Sequence, residues 1–401
     1  MRIILFAGKG GTGKTCMAAA TGVRSAALGH KTLVMSLDSA HSLADIFDVD
    51  RSLHDRAQGK AVKIAPNLWM QEVDVQEEIH RHWGEVYKYL ATLFSTSGLD
   101  EVIADELAVL PGMEEVSGLL YINEYFKESS YDVVLLDCAP TGESLRFVSV
   151  PTALEWYMKK IFTVERRLFK IARPFIKTMT DIPIPEDSYF AALEGLHGKL
   201  TGVDAVLQNP RQTSVRLVTN PEKVVIKETQ RAFMYFSLYG LCVDAVIINR
   251  ILDERTGGAA FRKWRATHQR YLKEADEAFA PVPRFHVHLF SDEIVGPKEL
   301  ARLGEVLYGE SDPTAVLYDK PPYTFKKIKD TYRLTMTLPS ATKEAVDLTM
   351  AGDEVIIRIG NLKRHVPLPK MAAGAEPTGA TLDGHTLTVT FRARGQPRPR
   401  T

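Results

Sequence analysis

The chain lacks the features that would tie it to a membrane, a nucleic acid or an oxidising compartment. Its 401 residues include only three cysteines, Cys16, Cys138 and Cys242. They are odd in number and far apart, so neither a disulfide framework nor a C-x-x-C metal site is written into them, and structural thiols are expected. No run reaches the roughly 18 apolar residues that a spanning helix needs. The apolar run at the N-terminus gives way to Gly8 and Lys9, too early for a secretory signal. Net charge is absent as well: 50 Lys+Arg stand against 50 Asp+Glu, which argues against a general nucleic-acid or membrane-surface protein and leaves room only for a local patch. These absences lead to the expectation of a soluble, cytoplasmic protein with no nucleic-acid partner and no stable membrane insertion. With 45% hydrophobic and 25% charged residues, the remainder has an ordinary globular composition, and the length suggests two or three domains.

What is present begins at once. Arg2-Ile3-Ile4-Leu5-Phe6-Ala7 leads into Gly8-Lys9-Gly10-Gly11-Thr12-Gly13-Lys14-Thr15, which fits G-x-x-x-x-G-K-[ST]. In that loop glycines bring successive backbone N–H groups up to a polyphosphate, Lys14 reaches the β/γ oxygens and Thr15 ligates magnesium. About one chain in a hundred of this length would show the bare pattern by chance, so context decides. A β-branched strand precedes the loop, and Lys14, Thr15, Cys16 and an Ala-rich stretch open a helix ending near Gly29, the order the mechanism requires. An ordinary glycine-rich turn is the competing reading.

Two further apolar segments end in acids, Lys31–Leu37 before Asp38 and Tyr131–Leu136 before Asp137. Alternation of such strands with helices predicts an α/β fold with a mostly parallel sheet, whose strands present ligand sites at their carboxyl ends. Gly8 to Thr15, Asp38 and Asp137 all fall at that edge. Asp137 there suits an outer-sphere magnesium contact, and a helix cap is its alternative. Residues from about 70 to 130 and from 151 to about 209 are rich in helix formers, the second stretch broken at Ile182-Pro183-Ile184-Pro185. Strands are expected at 215–220, 243–249 and 284–288, with helices at 221–239, 262–278 and 297–307. Beyond a Pro-containing linker at 311–322, period-two alternation in Thr331–Pro339, Glu354–Ile359 and Thr386–Phe391 predicts a small antiparallel β-sandwich over 323–393. A basic tail, 394–401, follows, either a solvated end or a contact for an anionic partner.

Residues 1 to about 309 resemble the ArsA/GET family of ATPases, the arsenite-pump and tail-anchored-protein-targeting nucleotidases. The resemblance rests on the two-lysine loop Lys9 to Thr15, on Asp38-Ser39-Ala40-His41-Ser42-Leu43, on Pro111-Gly112-Met113-Glu114-Glu115 and on Asp137-Cys138-Ala139-Pro140-Thr141-Gly142. Residues 323 to 391 look like the α-crystallin domain of small heat-shock proteins, through Leu338-Pro339, Val366-Pro367-Leu368-Pro369 and Ala380–Leu387. The family resemblance implies ATP/ADP and Mg2+ as cofactors, with Gly8, Lys9, Gly10, Gly11, Thr12, Gly13, Lys14, Thr15 and Cys16 around the nucleotide and Asn249 at its adenine. It implies Asp38 orienting the attacking water and, with Thr15 and Asp137, serving the metal. Lys9 would reach a partner subunit's nucleotide as an arginine-finger equivalent, making the unit of hydrolysis a homodimer. The competing readings are an N-cap for Asp38, a solvated loop lysine for Lys9 and a turn residue for Asn249.

Some family features are missing. No cysteine follows Ile251, so a zinc-clamped dimer is not expected. The duplicated nucleotide domain and thiolate cluster of the arsenite pumps are lacking, and Glu143 stands where many relatives have His. The Met- and aromatic-rich stretch 151–180 reads either as a nucleotide-controlled groove for a hydrophobic client polypeptide or as helical core. A client-handling ATP switch is therefore the first expectation. Its competitors are a metalloid-transport ATPase subunit and a low-turnover nucleotide-sensing module.

Overall fold

The structure is a computed structural model and describes residues 1–38, 42–50, 58–78, 81, 83–96, 113–139, 141–162, 164–169, 185–253, 259, 261–329, 331–339, 341–352, 354–360, 362–369, 372 and 374–392. The basic tail, His41, Pro111-Gly112 and residues 170–184 lie outside them. The chain forms two compact units, one of Met1–Ala7, Lys14–Leu207 and Glu293–Thr314, the other of Gly8–Gly13, Gln208–Asp292 and Ala315–Thr401.

In the first unit β1 (Arg2–Ala7), β2 (Thr32–Ser36), β3 (Val62–Ala65), β4 (Leu68–Glu72) and β5 (Val133–Asp137) lie in the order β3-β4-β2-β5-β1. All neighbours are parallel except β3, which pairs antiparallel with β4. Every residue of β1, β2 and β5 is buried, which is why these strands read as unbroken apolar runs. The helix Lys14–Ala27 turns small side chains inward. At Gly22 a Cβ would overlap Val34 of β2, so glycine there lets the helix close down on the sheet. The helix Gly296–Tyr308 packs beside it, with Tyr308 Oη and Thr21 Oγ1 2.8 Å apart.

The reading of residues from about 70 as helical begins too early. Leu68–Glu72 is a strand, entered through Asn67 in the left-handed region (φ 57°). Leu, Met, Gln and Glu favour helix in isolation, but pairing of this segment with β2 overrides that weak preference. Helices do follow at Gly84–Thr96, Met113–Glu128, Thr141–Tyr157 and Asp187–Leu200. The third runs through Pro151 and continues as a π-helical turn, Met158–Phe162.

The second unit holds the loop Gly8–Gly13 and the parallel strands β6 (Thr213–Thr219), β7 (Val243–Ile251) and β8 (Arg284–His288). The helices Lys223–Leu238 and Arg262–Ala278 connect them, within two residues of expectation. The same unit contains a seven-stranded sandwich of β9 (Tyr323–Ile328), β10 (Thr331–Thr337), β11 (Val346–Ala351), β12 (Glu354–Ile359), β13 (Leu362–Pro367), β14 (Glu376–Asp383) and β15 (Thr386–Arg392). Its sheets, β14-β15-β10-β9 and β11-β12-β13, are wholly antiparallel.

The sandwich does not hang on a loose tether. Its core, including Leu334, Met336, Ile357, Val389 and Phe391, also takes in Met234 and Leu238 of the helix Lys223–Leu238. Arg364 of β13 lies over the Tyr239 ring, 4.9 Å from its centroid. The preceding stretch is pinned too: the Cys242 thiol donates to the carbonyls of Tyr318 and Lys320, each at 3.4 Å. Arg216, fully buried in an ion pair with Asp244, donates to the Ala315 carbonyl.

Candidate active site

Within the second unit the loop Gly8–Gly13 is drawn tight by its own backbone. The Lys9 carbonyl accepts the Thr12 hydroxyl at 2.8 Å and the Thr12 amide at 3.4 Å. At the end of β7, Asn249 Nδ2 donates to the Thr12 carbonyl at 2.9 Å, while its Oδ1 accepts the Arg250 amide. Gly13 (φ +95°) has no room for a side chain, since a Cβ would stand 2.6 Å from Asn249 Nδ2, and a Cβ on Gly8 would overlap the Val218 carbonyl oxygen. Gly8 and Gly13 are thus required by close approach, and Gly13 by φ as well. Lys9 Nζ is 3.0 Å from Glu228 Oε2 on the helix Lys223–Leu238, so this lysine is held within its own chain, and Asn249 grips the loop itself.

In the first unit the chain continues from Gly13 into the helix Lys14–Ala27, with Lys14 buried and Thr15 and Cys16 on the first turn. Register places Phe6 of β1 and Ser36 of β2 on either side of Asp137, so Asp38, one residue past Leu37, falls at the same edge. The Leu37 amide donates to the Asp137 carbonyl at 2.9 Å, and the Asp38 amide donates to Ser36 Oγ at 3.2 Å.

Asp137 is 1% exposed, and neither carboxylate oxygen has a hydrogen-bond partner among the described residues. Burial pushes its pKa up to about 6; the Thr15 hydroxyl and the Lys14 charge pull it back, and the Asp38 and Glu72 carboxylates add to the rise. The Thr15 hydroxyl is near enough to act on the carboxyl without meeting hydrogen-bond geometry. Two buried anionic oxygens without a donor are a poor arrangement for the free protein and a good one for a hard cation.

Sequence reasoning missed Glu72. This carboxylate ends β4 beside Ser36, is 1% exposed, and accepts the amides of Leu43 and Ala44 at 2.8 and 3.2 Å. The signal that found Asp38 and Asp137, an acid closing a buried strand, would have found it had Leu68–Glu72 been read as a strand. No disulfide joins the three cysteines. Cys138 and Cys242 are buried, and burial pushes the Cys138 thiol up, away from thiolate reactivity. Among the described residues no group of three or more His, Cys, Asp or Glu side chains is placed to hold a metal ion, and no helix is long and apolar enough to cross a membrane.

A glycine loop feeding a helix after the first strand, with acids at neighbouring strand ends, defines a P-loop nucleotide hydrolase of the two-lysine kind. Residues 1–309 match the family model of the anion-transporting ATPases, ArsA, and residues 329–391 match the HSP20-like domain found in ArsA. The chain belongs to this family of ATPases. It is 48% identical over 393 residues to a protein of Aquifex aeolicus named as an arsenical pump-driving ATPase, covering 97% of this chain and 99% of the relative. A protein of Chlorobaculum tepidum with the same kind of name is 37% identical over 394 residues, 98% and 96% of the two chains. ATPase GET3 of Malassezia globosa is 26% identical over 321 residues, 78% of this chain and 92% of that one.

Proposed function

We propose that the chain is an ATP-hydrolysing switch that works as a homodimer and couples turnover to the capture and release of hydrophobic polypeptide segments. The observation that carries the nucleotide part is Asp137: a buried carboxylate with unsatisfied oxygens, next to Lys14 and Thr15 at the start of the P-loop helix. Thr15, Asp137 and Asp38 would hold Mg2+, whose chemistry is to neutralise phosphate charge. The amides of Gly8 to Thr15 and of Cys16 bind the phosphates, Lys14 compensates the β/γ oxygens, and Asp38 orients the attacking water. Asn249 keeps the loop in its phosphate-ready shape and borders the adenine. Lys9 leaves Glu228 to reach the partner subunit's nucleotide.

Support for client handling comes from residues 151–169, where Trp156, Val164 and Leu168 are exposed while Phe162 is buried against Phe190. This stretch is partly core and partly open apolar surface. We also propose the domain division 1–310, with helical parts after the strand Leu68–Glu72 to about 130 and at 151–210, 311–322 and 323–393, in which the sandwich serves the ATPase. The test is direct. Lys14→Ala should abolish hydrolysis, and an apolar dye or hydrophobic peptide should bind differently with ATP, ADP and no nucleotide; equal binding in all three states removes the client role.

The names of the Aquifex and Chlorobaculum relatives favour a second reading, an ATPase subunit of a metalloid pump. It predicts stimulation of hydrolysis by arsenite or antimonite. The burial of Cys138 and Cys242 speaks for no stimulation.

A further inference from the structure

We propose, on the reading of Lys9 as a lysine that crosses to a partner subunit's nucleotide, that Glu228 is a latch on that lysine. It holds Lys9 within its own chain and so raises the protein concentration at which two chains pair around nucleotide.

Lys9 cannot be in two places. Its Nζ stands 3.0 Å from Glu228 Oε2, and an ammonium that serves a nucleotide across an interface must first give up that carboxylate. The two sides of the pair differ in how far they can yield. Glu228 stands on a fixed post: the next residue, Thr229, is buried, with its hydroxyl 2.9 Å from that of Thr219 on β6. The residue before it, Lys227, pairs with Glu274 of the helix Arg262–Ala278 at 3.2 Å. Further along the same helix, Phe233 stacks on Phe279 with 6.2 Å between centroids, and Met234 and Leu238 enter the sandwich core.

The backbone at Lys9 is fixed as well, by its carbonyl on the Thr12 hydroxyl and amide and by Gly8 against the Val218 carbonyl. What can move is the lysine side chain, 41% exposed, and an exposed side chain changes rotamer in picoseconds to nanoseconds. Release therefore needs no rearrangement of loop or helix, and the latch sets an equilibrium without adding a slow step. An ion pair this exposed shifts an equilibrium by about twofold. A symmetric dimer opens the contact once in each chain, which gives about two- to fivefold in the dimer dissociation constant. A carboxylate that is only a chance neighbour of a solvated lysine would leave pairing unchanged.

Sedimentation velocity of the full chain, with magnesium and the non-hydrolysable analogue adenylyl imidodiphosphate, measures that constant without turnover. Wild type, Glu228→Gln, Lys9→Ala and the double variant form a double-mutant cycle. Glu228→Gln should lower the constant about two- to fivefold, and the same change on the Lys9→Ala background should have no effect. An unchanged or higher constant in Glu228→Gln, or an equal fall on both backgrounds, would overturn the latch. Should Lys9→Ala pair too weakly to measure, Glu274→Gln removes the same charge from the neighbouring helix: an unchanged constant there supports the latch, and an equal fall overturns it. Wild type and Glu228→Gln both monomeric at every concentration would sink the homodimer reading and the latch with it, whereas dimers of equal strength sink the latch alone.

Discussion

Replacing Asp137 by Asn should make the nucleotide-free protein more stable at neutral pH relative to acid, and inactive at any pH. Burial raises the Asp137 pKa from 3.8 to about 6 in the folded chain. A folded pKa above the unfolded one means the native state binds more protons. Its contribution is therefore fully present below pH 3.8 and is lost as pH rises through about 6. The ionised carboxylate costs about 3 kcal/mol at neutral pH, at about 1.4 kcal/mol for each tenfold change in proton affinity. Between pH 5 and 7.5 the change is about 1.4 kcal/mol, because part of the loss has already occurred by pH 5. In a chain of this size that corresponds to roughly 2 °C in Tm. The assay is thermal unfolding with a chelator present, for wild type and Asp137→Asn at both pH values. Effects of other titrating groups cancel in the difference between variants, which should grow by roughly 2 °C from pH 5 to pH 7.5. A difference that does not change with pH would refute the assignment of a strained buried carboxylate. Adding ATP and magnesium at pH 7.5 should then raise the wild-type Tm and leave the variant's nearly unmoved.

Four further outcomes are expected. Asp38→Asn should retain nucleotide binding in a fluorescent-ATP titration while its turnover falls by about 100-fold or more, whereas Lys14→Ala should lose both. Hydrolysis per chain should rise with protein concentration until a dimer saturates, and Lys9→Ala should lower the plateau by about 1,000-fold; rates proportional to protein throughout would remove the partner-subunit role. The Lys9–Glu228 pair is itself worth little to folding, since Lys9 is 41% exposed, so Glu228→Gln should change denaturant stability by less than about 0.5 kcal/mol. Leu238→Ala leaves a hole where helix and sandwich share a core and should cost about 2–4 kcal/mol by urea denaturation.

The parts of the candidate site could be read from the sequence because they are short-range patterns. Gly8 to Thr15 is constrained by close approach at Gly8 and Gly13, Asp137 ends one fully buried strand and Asp38 stands two residues past another; local sequence carries all of this. Glu72 was illegible because its strand, Leu-Trp-Met-Gln-Glu, is spelled in helix formers and becomes a strand only by pairing with β2. Of the sandwich strands, β10, β12 and β15 show the two-residue rhythm because one face of each is buried. Almost all of β14 is exposed, so no alternation marks it. The cis partners of Lys9 and Asn249, Glu228 and Thr12, join residues more than 200 positions apart, a separation that no window along one chain can read.

Met234 and Leu238 also bear on how the protein is made. They leave the ribosome well before the strands that cover them, and the roughly 150 residues from Leu238 to Phe391 take on the order of ten to thirty seconds to synthesise. For that interval the helix that holds Lys9 has an uncovered oily flank, and its last turns gain their full packing only when the final strand is added. The helix and the sandwich thus finish their packing together, so a chain terminated before Phe391 would carry the nucleotide loop together with a sticky, half-finished support.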